Sequence, residues 1–170
     1  MIHPIRAMKA KLITVGLLLV GAATVGMPAF ASTTATTTFN VTATVTATCT
    51  IAATAMTFAT AYTGSTITAQ SQITATCTNT TPYTIGLNAG TTTGATTTNR
   101  LLAGPSGATL PYQLYSDSGH TTVWGNATGS WVSGTGNGSA QAINVYGQIL
   151  GAQLPAPGTY TDTVTATITY

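Results

Sequence analysis

Apolar and polar positions alternate with a period of two over most of the chain beyond residue 38. Phe39, Val41, Ala43, Val45 and Ala47 interleave with Asn40, Thr42, Thr44, Thr46 and Thr48, and the pattern runs on through Cys49 and Ile51. Further runs are Ile67, Ala69, Ser71, Ile73, Ala75 and Cys77; Tyr83, Ile85 and Leu87; Leu110, Tyr112 and Leu114; and Ile143, Val145, Gly147 and Ile149. The last is Tyr160, Asp162, Val164, Ala166, Ile168 and Tyr170. This period predicts strands, and the Thr, Gln, Asn or Gly between the apolar positions predicts antiparallel sheets with one face dry and one wet. Gly- and Pro-rich breaks at 90–94, 104–107, 117–119, 134–138 and 155–158 carry turn chemistry. About seven short strands punctuated in this way predict a single β-sandwich, with a barrel the less supported alternative.

Two stretches do not fit a closed sandwich. The first alternation spans about 13 residues, where a strand of ~5–6 is usual, so it has the length to serve two strands with different partners. The last alternation reaches Tyr170 and leaves no chain for a further strand. A missing strand leaves an open groove with unpaired backbone, which a segment of another chain can fill by strand addition. The alternative is that residues 32–48 pair within their own domain.

Composition narrows the function. Charged residues are 4% of the chain, against about 25% in an ordinary soluble domain, and about a quarter of all residues are Thr. Long helices are disfavoured, nucleic-acid binding lacks its cations, and acid–base catalysis lacks its titratable groups. Residues 1–31 read as a signal peptide. Arg6, Lys9 and Lys11 are followed by an apolar run at 12–25 and an A-x-A site ending at Ala31, with Met1 or Met8 as the start and an uncleaved anchor as the alternative. With the leader removed, Arg100 alone faces Asp117 and Asp162, a net charge of about −1 that suits a chain meant to assemble. Export places Cys49 and Cys77 in an oxidising compartment, so one disulfide is expected; no nearby His or C-x-x-C supports a metal site or a redox pair.

Candidate chemistry is sparse. Asp117, Ser118 and His120 offer triad-type residues, but all lie within one turn and read as a hairpin, and they are too few for a zinc site. Asp162 reads as structural at a strand start. Arg100 is expected to pair with Asp117 or Asp162 or to face solvent. Trp124 and Trp131 flank a Gly/Asn/Ser-rich stretch and read as packing residues, with a sugar-stacking platform as the alternative. The Asn-x-Ser/Thr triplets at Asn40, Asn79, Asn126 and Asn137 are matches expected by chance at this Thr frequency.

Several pieces occur in an order that resembles the spore coat protein U family, which includes pilin subunits of archaic (Csu-type) chaperone–usher pili. They are the Thr/Val alternation into Cys49-Thr50-Ile51, then Ile73-Thr74-Ala75-Thr76-Cys77, Asn99-Arg100-Leu101-Leu102, Tyr112-Gln113-Leu114-Tyr115-Ser116-Asp117 and Trp124-Gly125. Val145-Tyr146-Gly147-Gln148-Ile149 and Pro157-Gly158-Thr159-Tyr160-Thr161-Asp162-Thr163-Val164 follow, running on to Ile168-Thr169-Tyr170. The resemblance implies an all-β, incomplete immunoglobulin-like sandwich completed by donor-strand complementation. It implies a leader at 1–31, a donor segment at 32–47 and a pilin body at 48–170. Phe39, Val41, Ala43 and Val45 become the donor side chains, and Val164, Ala166, Ile168 and Tyr170 one side of the acceptor groove. Cys49 and Cys77 match the family disulfide.

The implied function is that of a non-enzymatic subunit, exported through the periplasm into a surface fibre that supports adhesion or biofilm formation. Its partners would be identical or related pilin subunits, a periplasmic chaperone, an outer-membrane usher and a host or abiotic surface. No cofactor, metal or nucleic acid is implied. The alternatives are a self-contained secreted sandwich that binds glycan and a spore or cyst coat protein.

Overall fold

The computed structural model describes residues 31–58 and 61–170, so the expected leader lies outside the described residues except for Ala31. Two units are distinguished, one ending at Thr42 and one spanning Ala43–Tyr170. Residues 31–42 of the first are exposed and carry no strand or helix.

The second unit contains eight strands among its described residues: β1 (Cys49–Ala53), β2 (Ile67–Cys77), β3 (Pro82–Leu87), β4 (Arg100–Ala103), β5 (Thr109–Tyr115), β6 (Val132–Thr135), β7 (Ala140–Ile149) and β8 (Ala166–Thr169). They form a five-stranded sheet in the order β1-β2-β7-β5-β4 and a three-stranded sheet in the order β6-β3-β8. Every pairing is antiparallel. The longest ladder joins β2 and β7 from Ile67↔Ile149 to Thr76↔Ala140. Its inner residues Ile73, Ala75, Val145 and Ile149 meet Tyr83, Ile85 and Leu87 of β3, and Leu110, Tyr112 and Leu114 of β5 complete the core. This is the predicted two-layer β-sandwich, with the period-two residues turned inward.

One end of the sandwich holds Cys49, the end of β2, the 78–81 turn and the start of β3. Gly136 and Gly138 close over it through Thr80 N–H to Gly136 O at 2.8 Å and Gly138 N–H to Cys77 O at 3.0 Å. The opposite end holds the end of β7 and the start of β2, where Ala152 N–H donates to Gly64 O at 2.8 Å.

The strands depart from the sequence expectation in three places. The long N-terminal alternation becomes strand only at Cys49; Thr48 already bonds Thr78, but residues 31–47 carry no strand, because period-two patterning alone supplies no hydrogen-bonding partner. The final alternation is strand only at Ala166–Thr169. Upstream of it, Thr161 bridges Ala103 at the end of β4, and the chain then crosses to β3 in the other sheet. Two short strands were not predicted. β4 has two adjacent leucines and no alternation. β6 contains Gly134, a residue that reads as a turn but here makes room for the Tyr83 ring directly across the ladder.

Candidate functional site: an open groove beside the last strand

β1 and β8 each have a single neighbour, β2 and β3 respectively, so each is the edge of its sheet. Among the described residues no strand pairs with their free edges. Opening between the sheets is a groove of about 850 Å³. Its lining includes Ile73, Leu87, Leu114 and Val145, which belong to the hydrophobic core. The groove is therefore core surface left open, and it carries apolar area that a closed sandwich would have covered.

The walls follow from local sequence. After β1 the chain is held back to β2 by Thr54 N–H donating to Gln72 O at 2.9 Å. Met56 and Phe58 then turn onto the inner face of β7 over Gly147, where a Cβ would collide with the Met56 sulfur. On the other wall Val164, Ala166 and Ile168 are half-buried against the core, and Val164 and Ala166 line the groove itself. Tyr170 is 58% exposed and, with Ile168, lies outside the groove lining. Of the residues expected to enter such a groove, Phe39, Val41 and Val45 are 82–84% exposed, and Ala43 is exposed too.

Cys49 and Cys77 are joined by a disulfide across the β1–β2 ladder, with Cα atoms 4.1 Å apart. The bridge ties edge strand β1 to the sheet at the end of the molecule where residues 31–48 join the body.

Among the described residues the charged side chains Arg100, Asp162 and Asp117 are each held by a set of hydrogen bonds. Arg100 corrects the expectation of an ion pair or a solvent-facing cation: it is fully buried, and all its hydrogen-bond acceptors are neutral. Its Nε donates to Asn88 O at 2.9 Å and Nη1 to Thr97 O and Gln113 Oε1; Nη2 donates to Leu87 O and to Trp124 O at 2.8 Å. Burial presses its pKa below the usual guanidinium value, against the opposing pull of Tyr112 and Asp162. No feature of the sequence marked Arg100 as a bolt joining β3, β5 and the Trp124 loop, beyond its being the only Lys or Arg after residue 11.

Asp162 lies at the mouth of the groove. It accepts the Tyr112 hydroxyl at 2.7 Å, Thr91 N–H at 2.8 Å and Thr163 N–H at 2.9 Å. Burial pushes its pKa up, but these donors outweigh burial and hold the carboxyl below its ordinary value. Burial, followed by the bond to Asp162, raises the Tyr112 phenol well above its usual value.

The Asp117 carboxylate is engaged by Thr122 N–H, Thr121 N–H and the Thr121 hydroxyl, which lower its pKa in that order of backbone groups. His120 meets Tyr115 and Tyr146 edge-on, with ring centroids at 5.3 and 6.3 Å. The turn is thus a hairpin connection. Trp124 is fully buried with its Nε1–H on Ile85 O at 2.8 Å, so it cannot form a sugar platform with Trp131.

The Spore Coat Protein U domain model matches residues 35–167. The chain belongs to that family. A 61-residue stretch is 41% identical to "Protein U" of Myxococcus xanthus, covering 36% of this chain and 34% of the relative. The solved structure of the CsuC–CsuE chaperone–tip adhesion subunit pre-assembly complex, from archaic chaperone–usher Csu pili of Acinetobacter baumannii, includes a chain similar in fold. The TM-score is 0.56 at 24% identity, over 75% of this chain and 41% of that one. The matches thus span about a third of Protein U and under half of the Csu chain.

Proposed function

We propose that this chain is a structural subunit of a chaperone–usher fibre, polymerised head to tail by donor-strand exchange. The observation that carries the reading is the groove walled by 53–62 after β1 and 158–166 leading into β8, where core side chains lie open beside two strands with free edges. Family membership and the fold shared with a chain from a chaperone–pilus subunit complex support it.

In this reading residues 1–31 are the export leader, 32–47 the donor and 48–170 the acceptor body. Phe39, Val41, Ala43 and Val45 of one copy enter the groove of the next, against Val164 and Ala166, with Ile168 and Tyr170 beyond the lining. Each large donor side chain contributes up to ~1.5–3 kcal/mol on burial, and the new ladder satisfies the free edge of β8. A periplasmic chaperone lends a strand before an outer-membrane usher exchanges it. The contact is heterologous, so it propagates into a filament. Adhesion or biofilm support is the biological role, with a host or abiotic surface as target, and no catalytic or cofactor chemistry is involved. A coat role built on the same groove is the second reading, favoured by the likeness to Protein U.

The test is direct. A chain shortened to residues 48–170 is mixed with a synthetic peptide of residues 32–47. A stable one-to-one complex on native gels, lost when the peptide carries Val41→Asp, is expected. A shortened chain that is monomeric, cooperative in unfolding and indifferent to the peptide overturns the reading and points to a closed sandwich.

A further inference from the structure

We infer that Leu150 and Leu154 are the seat on which the body of the next copy of this chain rests in the assembled fibre. The inference builds on the donor-strand reading above and assigns a second contact surface between successive copies, outside the groove.

The two leucines follow β7 on one short loop and are 58% and 87% exposed. The loop is not slack. Tyr62 Oη donates to Leu150 O at 2.8 Å and accepts Gln153 N–H at 3.0 Å. Gly151 N–H donates to Thr66 Oγ1 at 2.9 Å, and Ala152, at φ +68°, donates its N–H to Gly64 O. A neighbouring loop therefore pins the backbone while two large aliphatic side chains are held in water. Single exposed leucines are ordinary; two on one pinned loop beside an open apolar groove are a surface with a direction.

The strands set that direction. β1 starts at the Cys77 end of the sandwich and runs away from it, so residues 31–48 join the body at that end. β8 runs toward the same end, because Thr169 pairs with Thr84 near the start of β3 while Ala166 pairs with Leu87. Every strand pairing among the described residues is antiparallel. An antiparallel donor therefore starts at the Cys77 end of the acceptor and leaves at the opposite end, where Tyr62 lines the groove and bonds the Leu150 loop. A parallel donor would instead crowd two bodies and the acceptor's own donor segment at one end. From Val45 to Cys49 there are four chain steps, a leash of at most ~14 Å. So short a leash holds the donating body against the acceptor's Leu150 and Leu154. The surface it presents is its own Cys77 end, where Thr78, Thr80, Gly136 and Gly138 are small and the exposed Tyr170 at the end of β8 offers an aromatic face to the leucines.

Thiol footprinting of the full exported chain tests this. Leu154→Cys, and separately Leu150→Cys, are reacted with a maleimide in two states: as monomers blocked by excess 32–47 peptide, and as assembled fibres. Ser118→Cys, on the exposed hairpin turn, is the control. Labelling at 150 and 154 is expected to slow by about tenfold or more in fibres, as at sites from which an interface excludes water, while 118 reacts equally in both states. Fibres in which 150 and 154 react as fast as in the blocked monomer overturn the seat and leave donor exchange intact. A chain that binds no peptide and forms no fibre overturns the donor-strand reading and this inference together.

Discussion

Around Arg100 the interior is closed by polar chemistry that the chain supplies for itself. One guanidinium satisfies acceptors from four separate segments, and the buried Trp124 packs beside it. Between 53–62 and the approach to β8 the interior is open and largely apolar, beside two strands with free edges. Polar groups must find partners within a fold or be very costly, so the Arg100 region is complete in the isolated chain. Apolar area can wait for a second chain, because exposing it costs stability without abolishing the fold. The difference teaches that the region able to recruit a partner is the one whose missing groups are a strand edge and oily side chains.

The strongest way to break this contrast is Arg100→Leu. It strands buried carbonyls at 87, 88, 97 and 124 and is expected to destabilise the chain by about 3–5 kcal/mol in chemical denaturation, with or without donor peptide. A loss that the peptide reverses would mean that the two regions are not independent. Reduction of Cys49–Cys77 comes next. By the chain-entropy relation, a bridge over 28 residues contributes ~3–4 kcal/mol. Reduction is also expected to weaken peptide capture, since β1 is the groove's disulfide-tied edge, and calorimetry in both redox states reads both effects.

Single donor changes sharpen the open side. Peptides with Phe39→Ala, Val41→Ala or Val45→Ala are each expected to lose ~1–3 kcal/mol of binding in competition titrations, whereas Asn40→Ala and Thr42→Ala stay near the parent. Equal losses on both faces would remove the side-chain basis of recognition.

The smallest effect is acid sensitivity at the mouth of the groove. The Asp162 pKa is held below that of the unfolded chain. Its contribution is therefore fully present above the unfolded value of about 3.9 and fades as pH falls through the lower folded value. Asp162→Asn is expected to flatten part of the stability decline below about pH 4 and to leave the neutral plateau without that slope.

The sequence shows where side chains alternate and where turns break them, so β2, β3 and β5 were legible almost to the residue and β7 from Ile143 onward. Their ladders are long, and burial on one face imposes the pattern. β4 and β6 were not, because four-residue strands carry too few positions for a period, and Gly134 serves a neighbour's ring rather than a turn. The open flank was foreshadowed by two alternations that exceed the strands they form. Arg100 was misread because an isolated charge in a sequence suggests water or a carboxylate, and the carbonyls that hold it are backbone groups with no residue code. The groove's second wall at Met56 and Phe58 was also missed, since its place over Gly147 depends on tertiary packing.

The decisive measurement is thermal unfolding of two oxidised chains: residues 48–170 alone, and the same chain with a copy of residues 32–47 joined after Tyr170 by a flexible linker. The extended chain is expected to be a soluble monomer with a sharp transition higher by about 15 °C or more, since strand insertion buries several large side chains. A shortened chain that unfolds cooperatively at the same temperature as the extended one would contradict donor-strand exchange.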